Sequence, residues 1–270
     1  MVELNAVVIH RVEVAPGLII LRIRHEEEAL PDFVPGQFAV LALPNSASRV
    51  PFSEAEDVAD TDPQKMIKRA YSIASSSVER DYVEFYITLV RSGALTPRLF
   101  NLGIGDKLWL STKFSGIFTL SDVEGEPDIV LIATGTGIAP YMSMIRTELA
   151  APGKRRFAVI HGARNSWDLG YHSELVMMER LSPNFSYLPI ISEPEEEPAP
   201  WGGESGFILD AWQSLNLEKK IGLKPTPEKT HIFLCGNPVM VQTMVETLTE
   251  DGFVEHKKNR PGQLHLERFW

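Results

Sequence analysis

The sequence predicts a two-domain protein in which a β domain is followed by an α/β domain. Up to about residue 120, short β-type runs such as "LIILRIR", "GQFAVLAL" and "YVEFYITLV" are separated by glycine and proline, a rhythm typical of a barrel or sandwich. After "SDVEGEPD", apolar strands precede glycine turns and helix-like segments, as in "IVLIATGTG" before "IAPYMSMIRTELA". This alternation predicts parallel βαβ units. We therefore expect domains at residues 1–122 and 123–270.

Composition excludes several classes of protein. The 270 residues are 44% hydrophobic, enough for a sizeable core, and carry 36 acidic against 26 basic side chains, a net charge of −10, which argues against a general nucleic-acid binder. The single cysteine, Cys235, cannot form an internal disulfide, an iron–sulfur cluster or a Cys-rich zinc site from this chain alone. No signal peptide or membrane-length apolar run is visible. We expect a cytoplasmic, metal-free protein without membrane insertion.

Between the third and fourth β-type runs lies "PNSASRVPFSEAEDVADTDPQK". This stretch is polar and acidic and contains three prolines, which indicates an excursion on the surface. "RAYSIASS" follows it directly, and concentrates an arginine, an aromatic ring and hydroxyl groups within eight positions. An ordinary strand would make Arg69 a solvated charge and Tyr71 a packed ring; a ligand site would use both side chains, which strand alternation aims to one side.

Two further stretches combine glycine with a predicted helix start. In "VRSGALTPRLF", Gly93 gives the backbone freedom to turn, and Thr96 is suited to cap a helix that begins at Pro97. In "IATGTGIAP", Gly135 and Gly137 end an apolar strand where a helix begins. Helix N-termini bind phosphate, but an ordinary cap and a tight strand-to-helix turn explain the same residues.

The last two signals lie in the final third of the chain. Cys235, in "FLCGNPVMV", ends a buried strand at the rim where ligands bind in open α/β sheets, although a lone cysteine more often serves packing. The chain ends in "HLERFW", and the pair Phe269 and Trp270 needs a surface to cover.

Taken together, these motifs resemble the bacterial branch of the ferredoxin–NADP⁺ reductase family. "RAYSIASS", "LVRSGALTPRLF", "IATGTGIAP", "HGARN", "LCGNPVMV" and "RPGQLHLERFW" are similar in sequence, order and spacing, from about residue 5 to the end. The resemblance implies a six-stranded antiparallel FAD-binding barrel and a parallel-sheet NAD(P)-binding domain. It also implies an enzyme that exchanges electrons between NAD(P)H and a one-electron carrier, ferredoxin or flavodoxin, by hydride transfer to or from FAD N5.

The same resemblance assigns roles to the FAD-binding residues. Arg69 would pair with the diphosphate, Tyr71 would stack on the flavin, and Ser72 would reach toward N5; these residue types suit those tasks. The FAD set implied by the resemblance is Arg69, Ala70, Tyr71, Ser72, Gly93, Thr96, Phe269 and Trp270. The terminal aromatics resemble the C-terminal extension of the bacterial family, which lies over the flavin region and must shift to admit nicotinamide.

For the nicotinamide dinucleotide, the resemblance implies a glycine turn, one arginine and the end of a neighbouring strand. Cys235 would lie beside the nicotinamide and Glu267 near the reacting centre, so the catalytic set is Ser72, Cys235 and Glu267. The NAD(P)-binding set is Thr134, Gly135, Thr136, Gly137, Arg164, Cys235 and Gly236.

This chain departs from the family's NADP pattern at the expected 2′-phosphate clamp. At the positions that best match two arginines of NADP-using relatives, this chain has Glu193 and Phe207. Of the expected basic residues of the clamp, only Arg164 is present. Carboxylates in "SEPEEEPAP" would repel a phosphate dianion. We therefore expect NADH to be used at least as well as NADPH, unless Arg155 or Arg156 supplies the missing charge.

The electron carrier would need a local basic patch, since the chain is acidic overall. Candidates are Lys257, Lys258, Arg260, Arg91 and Arg98, and we expect a monomer. Two other functions stay open: a reductase component for a cytochrome or oxygenase, and a non-catalytic FAD-binding redox sensor.

Overall fold

The computed structural model describes residues 3–56, 62–150, 153, 155–214 and 217–268. The chain divides into two compact units. Unit 1 comprises Met1–Thr119 with Met142–Thr147, and unit 2 comprises Leu120–Tyr141 with Glu148–Trp270. Each unit has one six-stranded sheet.

Unit 1 is built on an antiparallel sheet in the order β4-β3-β6-β1-β2-β5. Alternating apolar side chains in these strands face a common core that includes Leu21, Leu41 and Phe85. The strands are β1 Ala6–Ala15, β2 Leu18–His25, β3 Phe38–Pro44, β4 Met66–Ser72, β5 Val83–Thr88 and β6 Lys107–Leu110, and one short helix, α1, spans Thr96–Phe100.

The two edge strands of this sheet meet just beyond the end of β4. The amide of Ala74 donates to the carbonyl of Glu84 at 2.8 Å, and the amide of Glu84 donates to Ser75 Oγ at 3.1 Å. These bonds connect the β4 end to β5 and close the sheet into a barrel. The predicted six-stranded antiparallel barrel is therefore confirmed.

Unit 2 contains an all-parallel sheet in the order β10-β9-β8-β7-β11-β12. Its central strands are almost wholly apolar, as expected when helices cover both faces. The strands are β7 Asp128–Thr134, β8 Phe157–Ala163, β9 Phe185–Ile191, β10 Glu204–Ser205, β11 Thr230–Cys235 and β12 Leu264–Glu267. The predicted parallel-sheet α/β architecture is confirmed.

Three helices match predicted segments: α2 Ala139–Glu148, α3 His172–Leu181 and α6 Pro238–Glu250. Two short helices, α4 Ile208–Ser214 and α5 Leu217–Ile221, lie between β10 and β11 in the sequence. Asn237 caps α6, since its side chain accepts from the amides of Val239 and Met240. No helix in the described part of the chain is long and apolar enough to cross a membrane.

Candidate active site

In unit 1, strand β4 presents the "RAYS" residues. Antiparallel pairing with β3 sets Arg69 opposite Leu41 and Tyr71 opposite Ala39, so the two side chains share one face of the strand. Arg69 is exposed, and its guanidinium donates to the Lys68 carbonyl at 2.8 Å. Tyr71 packs partly against the barrel core, and burial raises the pKa of its phenol. The strand therefore offers one accessible cation and one neutral aromatic ring on the same face.

Ser72 ends β4 and is only 7% exposed. Its Oγ is buried and has no hydrogen-bond partner among the described residues. A buried hydroxyl without a partner costs free energy unless a ligand or water completes it. Ala70, by contrast, is exposed and too small to obstruct this region. The donor set on β4 thus fits a ligand that carries both a phosphate and a ring nitrogen.

The turn before α1 corrects one expectation about Thr96. The helix begins at Thr96 after Leu95 as its N-cap residue, and no side chain caps it. The Thr96 hydroxyl instead accepts from the Val90 amide and donates to the Val90 carbonyl, both at 3.0 Å. Thr96 therefore closes the turn around Gly93 rather than capping α1, and the five-residue helix offers little dipole for an anion.

In unit 2, the carboxyl ends of β7 and β11 approach each other unusually closely. A Cβ on Gly137 would lie 2.3 Å from the Cys235 carbonyl oxygen, and one on Gly236 would lie 2.4 Å from Thr134 Oγ1. Gly236 also has φ +134°, a region that disfavours other residues. Thr134 Oγ1 accepts from the amide of Asn237 at 2.8 Å. These glycines are thus required by contact between the two turns.

Gly135 differs from these two glycines because it has open space around it. It has φ +54°, is exposed, and would bring no Cβ within 4 Å of another atom. A 3₁₀ turn, Gly135–Ile138, then leads into α2, with Thr136 half-buried. The open backbone of this turn, at the carboxyl edge of a parallel sheet, is where a dinucleotide diphosphate is expected to bind.

Parallel pairing of β11 with β12 places Cys235 directly beside Glu267. The thiol is 0% exposed, and burial, reinforced by the Glu267 charge, raises its pKa well above the usual value. Tyr141 belongs to the same group: its hydroxyl donates to the Ile132 carbonyl at 3.1 Å, and burial raises its pKa, with contributions from Cys235 and Glu267. Cys235 is therefore a neutral thiol rather than a nucleophile.

Arg164 is exposed beyond the end of β8, in a loop that also carries Asp168. Asp168 is close enough that Arg164 opposes the rise in the Asp168 pKa caused by burial. Glu197 accepts from both the amide and the hydroxyl of Ser166, at 2.6 and 2.7 Å. The amide of Glu193 also donates to the Arg164 carbonyl at 2.9 Å. The acidic loop after β9 is thus bonded to the loop that carries Arg164 and does not turn away from it.

Arg98, expected in a carrier-binding patch, is 3% exposed and bonded to Glu56, so that expectation is wrong. Phe269 and Trp270 lie outside the described residues. Sequence pattern gives no sign of the group formed by Tyr141, Cys235 and Glu267 or of the ion pairs around Arg98, because the partners are distant in the sequence. Among the described residues, no group of three or more His, Cys, Asp or Glu side chains could hold a metal ion.

Comparisons with known proteins agree with this arrangement. Residues 131–246 match the oxidoreductase NAD-binding domain family. A flavodoxin/ferredoxin–NADP reductase of Buchnera aphidicola subsp. Baizongia pistaciae is 32% identical over 76% of this chain and 82% of its own. The reductase component DmpP of a Pseudomonas phenol 2-monooxygenase is 32% identical over 75% of this chain and 53% of its own.

A solved structure extends the comparison to the whole fold. The crystal structure of a ferredoxin–NADP⁺ reductase from Neisseria gonorrhoeae with bound FAD and NADP superposes with a TM-score of 0.77 at 25% identity, covering 97% of each chain. Sequence similarity across most of both chains and this structural similarity lead to the same assignment: the chain belongs to the flavodoxin/ferredoxin–NADP reductase family.

Proposed function

We propose that this protein is a flavoprotein oxidoreductase that exchanges electrons between NAD(P)H and a one-electron carrier, ferredoxin or flavodoxin. The observation that carries the proposal is strand β4, where an accessible arginine, a neutral aromatic ring and a buried hydroxyl without a protein partner among the described residues follow one another. When bound, FAD accepts or returns a hydride at N5 and passes electrons singly. The protein supplies binding and orientation.

Each unit would hold one cofactor. In unit 1, Arg69 would bind the FAD diphosphate, Tyr71 would offer its ring to the flavin, and Ser72 Oγ would form the hydrogen bond that it lacks among the described residues. Ala70 leaves room beside them, and Gly93 and Thr96 shape the second diphosphate contact. We propose the same flavin-covering role for Phe269 and Trp270 as the resemblance implies.

In unit 2, the turn at the end of β7 would hold the nicotinamide dinucleotide through Thr134, Gly135, Thr136 and Gly137, with Arg164 at its far end. Cys235 and Gly236 come from the neighbouring strand end, and Glu267 from the next. Because the Cys235 thiol is protonated and fully buried, it would contact nicotinamide as a neutral group after its neighbours move. Hydride transfer requires no acid–base pair from the protein, so a raised thiol pKa is compatible with this role.

Transfer to a carrier can be tested directly. With NADH or NADPH as donor and cytochrome c as the terminal acceptor, we expect the rate of cytochrome c reduction to depend on added ferredoxin or flavodoxin. A reductase for a different acceptor would reduce ferricyanide but gain nothing from either carrier. A redox sensor would bind FAD and reduce neither acceptor.

Similarity to DmpP favours one alternative acceptor, an oxygenase. This chain spans about half the length of that relative, and its single cysteine cannot supply the ligands of an iron–sulfur cluster. An oxygenase role would therefore also require a separate one-electron carrier. Arg91, Lys258 and Arg260 are exposed and remain the proposed carrier-binding cations, whereas Lys257 already lies 3.2 Å from Glu255.

We predict that kcat/KM for NADH equals or exceeds that for NADPH. Arg164 is the one basic residue in the segments 163–168 and 192–197, which carry Asp168 and four glutamates. These carboxylates repel a 2′-phosphate dianion. Replacing Glu193 and Glu195 together by Gln should raise kcat/KM for NADPH about fivefold, equivalent to about 1 kcal/mol of removed repulsion, and leave that for NADH unchanged.

The matched control is Glu218→Gln, which removes an exposed carboxylate from α5. This substitution should alter neither value. A strong preference of the unaltered protein for NADPH would contradict the charge argument, while leaving the flavin assignment intact.

A further inference from the structure

We propose that Arg49, Glu56 and Arg98 are positioning residues that hold the Gly93–Thr96 turn in the form that binds the FAD diphosphate. The inference rests on the proposed function, since it concerns the same cofactor. Arg49 and Glu56 belong to the long segment between β3 and β4, which the sequence predicts to be a surface excursion. Part of this segment instead reaches back to the turn before α1.

The Arg98 side chain is almost fully buried and surrounded by acceptors. Its guanidinium forms a two-pronged pair with Glu56, with Nη1–Oε1 and Nη2–Oε2 distances of 2.7 and 2.8 Å. The same group donates to the carbonyls of Ala94 at 2.6 Å and Asn45 at 2.7 Å. The Arg98 hydrogen bond lowers the pKa of Glu56, which therefore stays ionised. A cation this buried is stable only with such partners.

Arg49 contacts the same carboxylate as Arg98 and bonds to the same turn. Its Nη1 lies 2.7 Å from Glu56 Oε1 and donates to the Gly93 carbonyl at 3.1 Å. Its Nη2 donates to the carbonyls of Arg91 at 3.2 Å and Glu54 at 2.8 Å. Glu56 thus orients both guanidinium groups, and together they bind the carbonyls of Gly93 and Ala94 in the turn and of Arg91 just before it.

Backbone bonds hold the same two segments together. The amide of Val50 donates to the Pro97 carbonyl, and that of Glu54 donates to the Arg91 carbonyl, both at 3.1 Å. Val50 is buried in the barrel core. The segment from Arg49 to Glu56 is therefore bonded to the chain just before the turn and just after it. These bonds limit the positions that the turn can adopt.

The consequence for an anion follows from which polar groups of the turn already have hydrogen bonds. Carbonyl oxygens repel phosphate, and three of them are bonded to guanidinium groups. The amides of Ala94, Leu95 and Thr96 form no hydrogen bond with another described residue, so they are available to a bound anion. The triad of two arginines and one glutamate also carries a net positive charge. A diphosphate would meet amides and positive charge in place of carbonyls.

The test is the affinity of the apo-protein for FAD, measured by quenching of FAD fluorescence. Glu56→Gln removes the charge that orients both arginines, and we expect the Kd for FAD to rise about tenfold or more, as for the loss of hydrogen bonds to charged groups. Arg49→Lys keeps the charge but loses the planar guanidinium that reaches three carbonyls, and should raise the Kd similarly. Glu54→Gln is the matched control, because it makes the same charge change in the same loop on a carboxylate outside the triad.

The inference holds if both variants bind FAD more weakly, the control Kd stays unchanged, and Arg49→Lys, which leaves the Arg98–Glu56 pair intact, weakens binding without lowering the melting temperature of the apo-protein. It fails if both variants bind FAD within twofold of the unaltered protein, or if Glu54→Gln weakens binding equally. It also fails if weaker binding always accompanies a matching loss of apo-protein stability, which would indicate a purely structural network. An unaltered protein that binds no FAD would overturn the proposed function instead.

Discussion

Glu84→Ala is expected to lower the free energy of unfolding of unit 1 by about 3 kcal/mol or more, the cost typical of breaking a buried ion pair. Glu84 is 1% exposed, and its carboxylate lies 2.7 Å from Arg22 Nε and 2.8 Å from Arg146 Nη1. Its removal leaves two guanidinium groups without this carboxylate, together with a cavity in the barrel wall. Urea unfolding monitored by the release of bound flavin measures the loss.

A surface ion pair in the same sheet supplies the control. Arg11 and Glu13, on β1, lie 3.9 Å apart, and the Glu13 side chain is more than half exposed. Glu13→Ala should cost no more than about 1 kcal/mol, because solvent screens such pairs. If Glu84→Ala and Glu13→Ala unfold at the same urea concentration, the buried network does not stabilise the barrel as argued.

Gly236→Ala is expected to reduce kcat/KM for the nicotinamide nucleotide about 100-fold, the scale of a misplacement near 1 Å. The new Cβ would lie 2.4 Å from Thr134 Oγ1 and 2.6 Å from the Thr134 carbonyl oxygen, at a φ of +134°. The end of β7 and its glycine turn must then move. Since unit 1 is unaffected, the bound FAD content should not change.

Steady-state reduction of ferricyanide by NADH measures this effect, and Gly202→Ala is the matched control. A Cβ on Gly202 meets no atom within 4 Å, so that variant should behave as the unaltered protein. A Gly236→Ala variant that retains kcat/KM within twofold would show that the approach of the two turns is not needed to bind the nucleotide.

Most of the architecture could be predicted from local pattern. Alternating apolar residues and glycine or proline turns indicate the β half, and apolar strands followed by helical segments indicate the parallel sheet. Strand β12 could not be found in this way, because four residues give too short a pattern and the strand exists by parallel pairing with β11. The C-terminal segment that the sequence predicts to cover the flavin thus begins with an edge strand, and this strand places Glu267 beside Cys235.

The candidate site was predictable where its residues are neighbours in the sequence, as in "RAYS" and "GTG". It was not predictable where long-range contacts decide the role of a side chain. Arg98 follows a turn and looks like a surface charge, but Glu56, 42 residues away, binds it in a buried position. Thr96 has the residue type of a helix cap, yet its hydroxyl hydrogen-bonds to the backbone of Val90 and closes the turn around Gly93. Neither contact has a local signature.

The proposed electron exchange requires that these two units hold FAD and a nicotinamide nucleotide. Separate anaerobic titrations of the purified, FAD-loaded protein with NADH and with NADPH, followed through the visible flavin absorbance, test this most directly. We expect a yellow protein whose absorbance is bleached by an equimolar amount of nucleotide, with NADH at least as effective as NADPH. A colourless polypeptide that takes up no FAD, or a bound flavin that neither nucleotide reduces, would contradict the account.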